Sequence, residues 1–158
     1  MTMHLRRYRA EDLPALTQLF HATVHTVTAA HYSAEQRAAW APAEPDLERW
    51  RMKLAAEITV VAERAGEMLG FCSWTPEGYL DFLFVHHAHQ GKGIARALCA
   101  EAERDLVVRG VARIHTQASV TAQPFFLRQG FVLVRHQTVT ARGVELPNAV
   151  MEKRLPSA

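Results

Sequence analysis

Residues 79–98 read Tyr-Leu-Asp-Phe-Leu-Phe-Val-His-His-Ala-His-Gln-Gly-Lys-Gly-Ile-Ala-Arg-Ala-Leu, and no other stretch constrains the fold of this chain as strongly. A short apolar run and a brief loop lead through two glycines into a segment with Ile94, Leu98, Ala102 and Leu106 in helical register. Gly91, Gly93 and Ala95 carry little or no side chain, so the backbone there can approach a ligand closely. The first-turn N–H groups of a helix lack partners within it, and the aligned peptide dipoles add positive charge at the same end. Such a start suits an anion such as pyrophosphate, with Lys92 or Arg96 supplementing the charge. The spacing is neither a Walker loop, which needs G-x-x-x-x-G-K-[ST], nor the dinucleotide fingerprint G-x-G-x-x-G.

The rest of the chain is read by periodicity. Residues 4–9 are a strand candidate, and residues 11–30 carry Leu13, Leu16, Phe20, Val24 and Val27 at helical spacing. Ser33-Ala-Glu-Gln36 has the form of a capping box opening a short helix to Trp40, which Pro42 and Pro45 terminate. Another helical segment spans 46–55. The pattern then changes to short apolar runs at 58–62, 68–74 and 79–85, an antiparallel meander joined by tight turns. The long helix is expected over 90–109, with Gly110 as its stop. A strand at 113–118, a short helix at 123–128 and a hairpin of 131–140 with 144–153 complete the reading. A strand–helix–strand crossover makes strands 79–85 and 113–118 parallel neighbours, so the sheet is expected to be mixed.

With 158 residues, 49% of them hydrophobic, the chain has room for one domain (1–158) with its own core. The formal charge of +2 lacks the basic excess expected of a nucleic-acid binder. No apolar run approaches the length of a membrane span, and the first residues carry no secretory pattern, so no membrane contact and a cytoplasmic location are expected. Cys72 and Cys99 lie in apolar-periodic segments and read as core thiols. Trp74, inside a strand, reads as packing.

Residues 90–95, Gln-Gly-Lys-Gly-Ile-Ala, match [RQ]-x-x-G-x-[GA]. With Leu83-Phe-Val85 ahead of them and Pro124-Phe-Phe-Leu-Arg-Gln-Gly130-Phe behind, the chain resembles the GNAT superfamily of acyl-CoA-dependent N-acetyltransferases over nearly its whole length. The segment from His31 to Trp40, with residues 119–126, is similar to the small bacterial YafP-like acetyltransferases. The resemblance implies an α/β (α+β) fold with a mixed, mostly antiparallel sheet, two splayed parallel central strands and helices on both faces. It also implies acetyl-CoA as cosubstrate, with its pantetheine along the strand at Phe84, Val85 and His86. The pyrophosphate then lies on Gln90, Gly91, Lys92, Gly93, Ile94, Ala95 and Arg96, and Phe126 falls beside the cofactor. The implied reaction is direct attack by a primary amine in a ternary complex. Its acceptor is a small-molecule or peptide amine, and the protein is a monomer or homodimer.

Direct attack needs a neutral amine, whereas a lysine-like amine has a pKa of about 10.4, so a proton acceptor is required. Asp81 stands where many family members carry a strand carboxylate; the alternative is a structural Asp held by hydrogen bonds. Alternation puts Tyr79, Asp81, Leu83 and Val85 on one face. His86 is a second candidate acceptor. Where many members offer a Tyr as general acid this chain has Phe126, leaving Tyr32, Tyr79, a histidine or solvent. Tyr32, Trp40 and Tyr79 are candidates for the acceptor pocket, with a core role as the alternative for the first two. His86, His87 and His89, and the pair His21 and His25, raise the question of a metal. Neither set has a ligand-spaced Cys or the Glu of H-E-x-x-H, so no metal is expected. Two rival classes are a CoA-binding regulator without catalysis, consistent with Phe126, and a nucleotide-phosphate enzyme, opposed by the missing Walker Ser/Thr.

Overall fold

The structure, a computed structural model, describes residues 2–158. The strands are β1 (His4–Arg7), β2 (Ile58–Arg64), β3 (Glu67–Trp74), β4 (Tyr79–Val85), β5 (Arg113–Ser119), β6 (Val132–Ala141) and β7 (Val144–Arg154). The helices are α1 (Leu13–Val27), α2 (Ala34–Trp40), α3 (Leu47–Ala56), α4 (Ile94–Val108) and α5 (Gln123–Arg128). Among the described residues the strands form one sheet in the order β1-β2-β3-β4-β5-β7-β6. The β4–β5 pair is parallel and the other neighbours are antiparallel, as a crossover through α4 requires.

Two helix limits differ from the periodic reading. The segment expected as one helix over 11–30 is α1 between two 3-10 turns, Ala10–Asp12 and Thr28–Ala30, and Pro14 sits in the first turn of α1, where a missing N–H costs nothing. The helix expected from residue 90 starts at Ile94, because Gly91 and Gly93 have φ of 73° and 80°, a conformation outside the right-handed helix. The Ser33–Gln36 capping box forms as read, and Gln36 also reaches the Glu145 carbonyl of β7.

Each face of the sheet has its own core. On one side α4 lays Leu98, Ala102 and Leu106 against Leu69, Trp74, Leu80 and Ile114, all almost fully buried. Trp74 packs here as expected, and its indole donates to Asp105 of α4 at 2.8 Å. On the other side Leu16, Phe20 and Val24 of α1 and Leu54 of α3 pack on Val61 and Phe71. Phe82 and Phe84 join that second cluster, with Phe84 stacked on Phe71 at 5.8 Å and edge-on to Phe20 at 4.9 Å.

Simple alternation fails on β4. Trp74 pairs with Leu80 and Ser73 with Phe82, so Asp81 is an extra residue without a partner on β3. This bulge puts Asp81 and Phe82 on the same side, facing α3, while Leu80, Leu83 and Val85 face α4. The expectation that Tyr79, Asp81, Leu83 and Val85 share one face is therefore corrected: the pattern shifts by one residue between the two pairs.

Gly70 of β3 lies beneath the start of α4. A Cβ there would stand 2.8 Å from the Phe84 carbonyl oxygen and 3.3 Å from Ile94 and Leu98 side chains. Gly70→Ala must therefore push helix and strand apart, and we expect it to lower unfolding free energy by about 1–3 kcal/mol, the usual cost of overpacking, measured by urea denaturation.

Candidate active site

The parallel ladder of β4 and β5 is brief. Only Tyr79–His115 and Leu80–Thr116 pair, and the Thr116 hydroxyl donates to the Leu80 carbonyl at 2.8 Å where the pairing ends. Beyond this point β5 stays paired with β7 as far as Ser119, while β4 runs on to Val85 paired only with β3. A wedge opens between them, edged by unpaired main-chain groups of β4.

The wide end of the wedge leads to the start of α4. The first main-chain bond of the helix is from Ala97 N–H to the Gly93 carbonyl at 3.1 Å, so the preceding N–H groups of the first turn point outward. Ideal Cβ positions at Gly91 and Gly93 meet no protein atom within 4 Å. Those glycines serve backbone shape and leave the space above the loop open. Lys92 and Arg96 are exposed beside it; the Lys92 ammonium lies 3.4 Å from His89 Nδ1. Ile94 is buried by the core and offers this site its N–H alone, and Ala95 is half-buried. Gln90 turns inward, its side-chain amide donating to the Val85 carbonyl at 2.8 Å. Thr23 of α1 donates to the same carbonyl at 3.1 Å, so the end of β4 is braced from both sides.

Of the other anticipated residues, Phe126 is buried, with its ring edge-on to Phe131 at 4.9 Å. Tyr32 is buried as well: its hydroxyl donates to the Pro147 carbonyl at 2.5 Å and accepts the Val120 N–H at 2.9 Å. Burial raises its pKa, and its two hydrogen bonds hold the residue ahead of α2 against β7 and the end of β5. Trp40 is half-buried between Tyr32 and Phe84, with ring centroids at 5.4 and 6.3 Å. His86 follows β4; its Nδ1 accepts the Ala88 N–H at 3.0 Å, and partial burial with His87 and His89 alongside lowers its pKa. Asp81 and His86 are five positions apart on an extended strand, roughly 16 Å, too far to serve one proton transfer.

Around Asp81 the structure gathers residues that the sequence did not connect. Lys53 and Glu57 come from α3 and the residue after it, Ser73 from β3, and Tyr79 and Asp81 from β4. The Ser73 hydroxyl donates to Glu57 Oε1 at 2.8 Å, Lys53 Nζ stands 3.2 Å from Asp81 Oδ2, and the carboxyls of Glu57 and Asp81 lie within hydrogen-bond reach of each other. The Asp81 side chain is only 9% exposed. Burial first, and then Asp81, push the Glu57 carboxyl up to about 8. Burial, with both carboxylates nearby, pushes the Tyr79 hydroxyl up to about 12, so it remains a proton donor.

The model of the acetyltransferase (GNAT) domain matches residues 28–155. The chain belongs to the GNAT acetyltransferase family. The uncharacterized N-acetyltransferase YafP of Escherichia coli (strain K12) is 34% identical over 149 residues, 94% of each chain. A crystal structure of a GCN5-related N-acetyltransferase from Rhodopseudomonas palustris superposes with a TM-score of 0.95 at 32% identity, covering 98% of this chain and 97% of the other. PaiA N-acetyltransferase from Thermoplasma acidophilum, solved in complex with coenzyme A, shares the fold with a TM-score of 0.81 at 19% identity, over 98% of this chain and 99% of the other.

In this GNAT enzyme Glu57 was the residue that motif reading missed. Its only local signal is a carboxylate set between the end of a helix and a buried strand, facing a Ser flanked by Cys72 and Trp74. Its raised pKa has a consequence for stability. Between 4.5 and about 8 the folded protein holds a proton on Glu57 that the unfolded chain has released, so stability falls as pH rises through that window. We expect wild-type protein to lose more unfolding free energy between pH 6 and pH 9 than Glu57→Gln, measured by denaturant titration at both values.

Proposed function

We propose that the chain, as one acetyltransferase domain of the cytoplasm, transfers the acetyl group of acetyl-CoA to a primary amine, by direct attack within a ternary complex. The observation that carries this reading is the wedge between β4 and β5 opening onto the free first turn of α4. Main-chain N–H groups of residues 91–96, with Lys92 and Arg96, would hold the pyrophosphate. The free edge of β4 at Phe84 and Val85 would take the pantetheine as an added strand, with His86 at its end. Phe126 supports this arm from the core and offers no proton. Unpaired β4 amides aimed into the wedge are suited to stabilise the oxyanion that forms when nitrogen attacks the thioester.

Asp81 is the proposed proton acceptor, at the narrow end of the wedge where the bulge turns it toward α3. Tyr79 is the proposed donor in the acceptor pocket, and Trp40 an aromatic wall. Protonation of the departing thiolate is a modest demand, since a thiol has a pKa of about 8.5. A leaving group of that kind accepts a proton from Tyr79 or solvent, so Phe126 does not prevent turnover. The acceptor is an amine; its remaining chemistry is left to a panel of polyamines, amino acids, aminoglycosides and lysine peptides.

Release of free thiol from acetyl-CoA, followed across that panel, tests the reaction; binding of CoA without release above background for any amine would favour a non-catalytic regulator. Gly93→Val should weaken CoA binding at least about tenfold, because a side chain there both occupies the open space and strains a left-handed residue by about 1–2 kcal/mol. Isothermal titration with CoA reads this directly. Asp81→Asn should lower kcat by about 10²-fold, the lower range for a lost general base, while leaving CoA affinity within about twofold. Unchanged turnover in Asp81→Asn across pH would overturn the assignment.

A further inference from the structure

We propose that the proton acceptor is a carboxyl pair, Glu57 with Asp81, which holds one proton between its members at rest and takes the proton of the incoming ammonium when that shared proton has been released. The inference rests on the reading of Asp81 as base and adds Glu57 as its partner in holding the proton.

The geometry points to a shared proton. Asp81 Oδ2 is buried and has no hydrogen-bond donor, although Lys53 Nζ lies at the ion-pair distance of 3.2 Å without the alignment of a hydrogen bond. A buried carboxylate oxygen without a donor is costly. Glu57, within hydrogen-bond reach, can supply that donor only as the neutral acid. Glu57 is itself anchored from the other side: Ser73 occupies its Oε1 at 2.8 Å. The groups facing the pair are Lys53 from the α3 side, Ser73 from β3, and Tyr79 from β4. Lys53 supplies the positive charge that keeps the singly protonated pair near neutrality. Its side chain is 40% exposed and also sits 5.5 Å over the Phe82 ring, so the positive charge of the group lies toward solvent.

The pairing solves a mismatch. One ordinary carboxylate binds a proton too weakly to deprotonate an alkylammonium efficiently, whereas two carboxyls competing for one site raise the proton affinity of the dianion. The step balances as follows. The ammonium R–NH3+ gives one proton to the dianionic pair, which becomes singly protonated. The neutral amine forms the C–N bond as the C–S bond breaks. The second proton lost from nitrogen ends on the CoA thiolate as thiol, and the pair later releases its proton to solvent past Lys53.

Two measurements test this. Carboxyl 13C NMR of the full chain, with Glu57 assigned through its backbone, should show Glu57 titrating near 8 and moving down by a unit or more in Asp81→Asn. An ordinary Glu57 titration between 4 and 5 in the wild type would overturn the proposal. The second measurement is the pH profile of kcat with acetyl-CoA and the best amine of the panel. Wild type should show an ionisation near 8, with activity rising through it. Glu57→Gln keeps the acceptor for Ser73 and a donor for Asp81, yet should lose that ionisation and about 10²-fold in kcat at pH 8.5, a general base's contribution at its lower end. If Glu57→Gln keeps the wild-type profile while Asp81→Asn is impaired, a lone Asp81 is the base and the pair is wrong. If Asp81→Asn is itself fully active, the underlying assignment of the base fails as well.

Discussion

The break in pairing between β4 and β5 is the constraint on which the rest of the molecule depends. Two residue pairs hold the parallel strands together, and then each goes its own way. Exposing strand edges inside a sheet is unfavourable unless something else satisfies or solvates them, because every main-chain donor and acceptor must be accounted for. The protein manages the parting from outside the gap. β5 keeps its full antiparallel ladder with β7, β4 keeps its ladder with β3, and Thr23 and Gln90 both bond the last carbonyl of β4. The opening is thus a fixed feature of the sheet, ready for a ligand that can pair with a strand edge.

The second device is the bulge at Asp81. An extra residue in β4 reverses which side chains face which helix, and it does so midway along the strand that borders the gap. Without it, Asp81 and Phe82 would lie on opposite faces. With it, Asp81 comes to α3, where Glu57, Lys53 and Ser73 surround it, and Phe82 and Phe84 still close the aromatic core against Phe20 and Trp50. The same local irregularity places a polar group beside an apolar wall.

Much of this was legible in the residues. The glycines ahead of Ile94 announced an open helix start, and the order of periodic segments announced a mixed sheet with a crossover through α4. The readings that changed did so for identifiable reasons. Tyr32 is an aromatic with a polar tip, a description that fits a pocket wall as well as it fits a buried strut, and only its bonds to Pro147 and Val120 distinguish the two. Phe126 has no hydroxyl in any reading, but its place against Phe131 is a matter of packing between α5 and the strand that follows. Strict alternation misplaced Asp81 relative to Leu83 because a bulge is a one-residue event that leaves no periodic trace.

By itself, then, the sequence determined the elements, their order, the parallel neighbours and the open, glycine-led start of α4, since these follow from periodicity, glycine conformations and chain connectivity over short distances. Tertiary structure alone decided that Glu57 meets Asp81. Their separation along the chain is long, their residue types are ordinary for a surface, and nothing local distinguishes a carboxylate that will be exposed from one that will be buried beside another. The folding of α3 across a bulged β4 brings them together, and there partial burial, with a second carboxylate alongside, raises the proton affinity of Glu57.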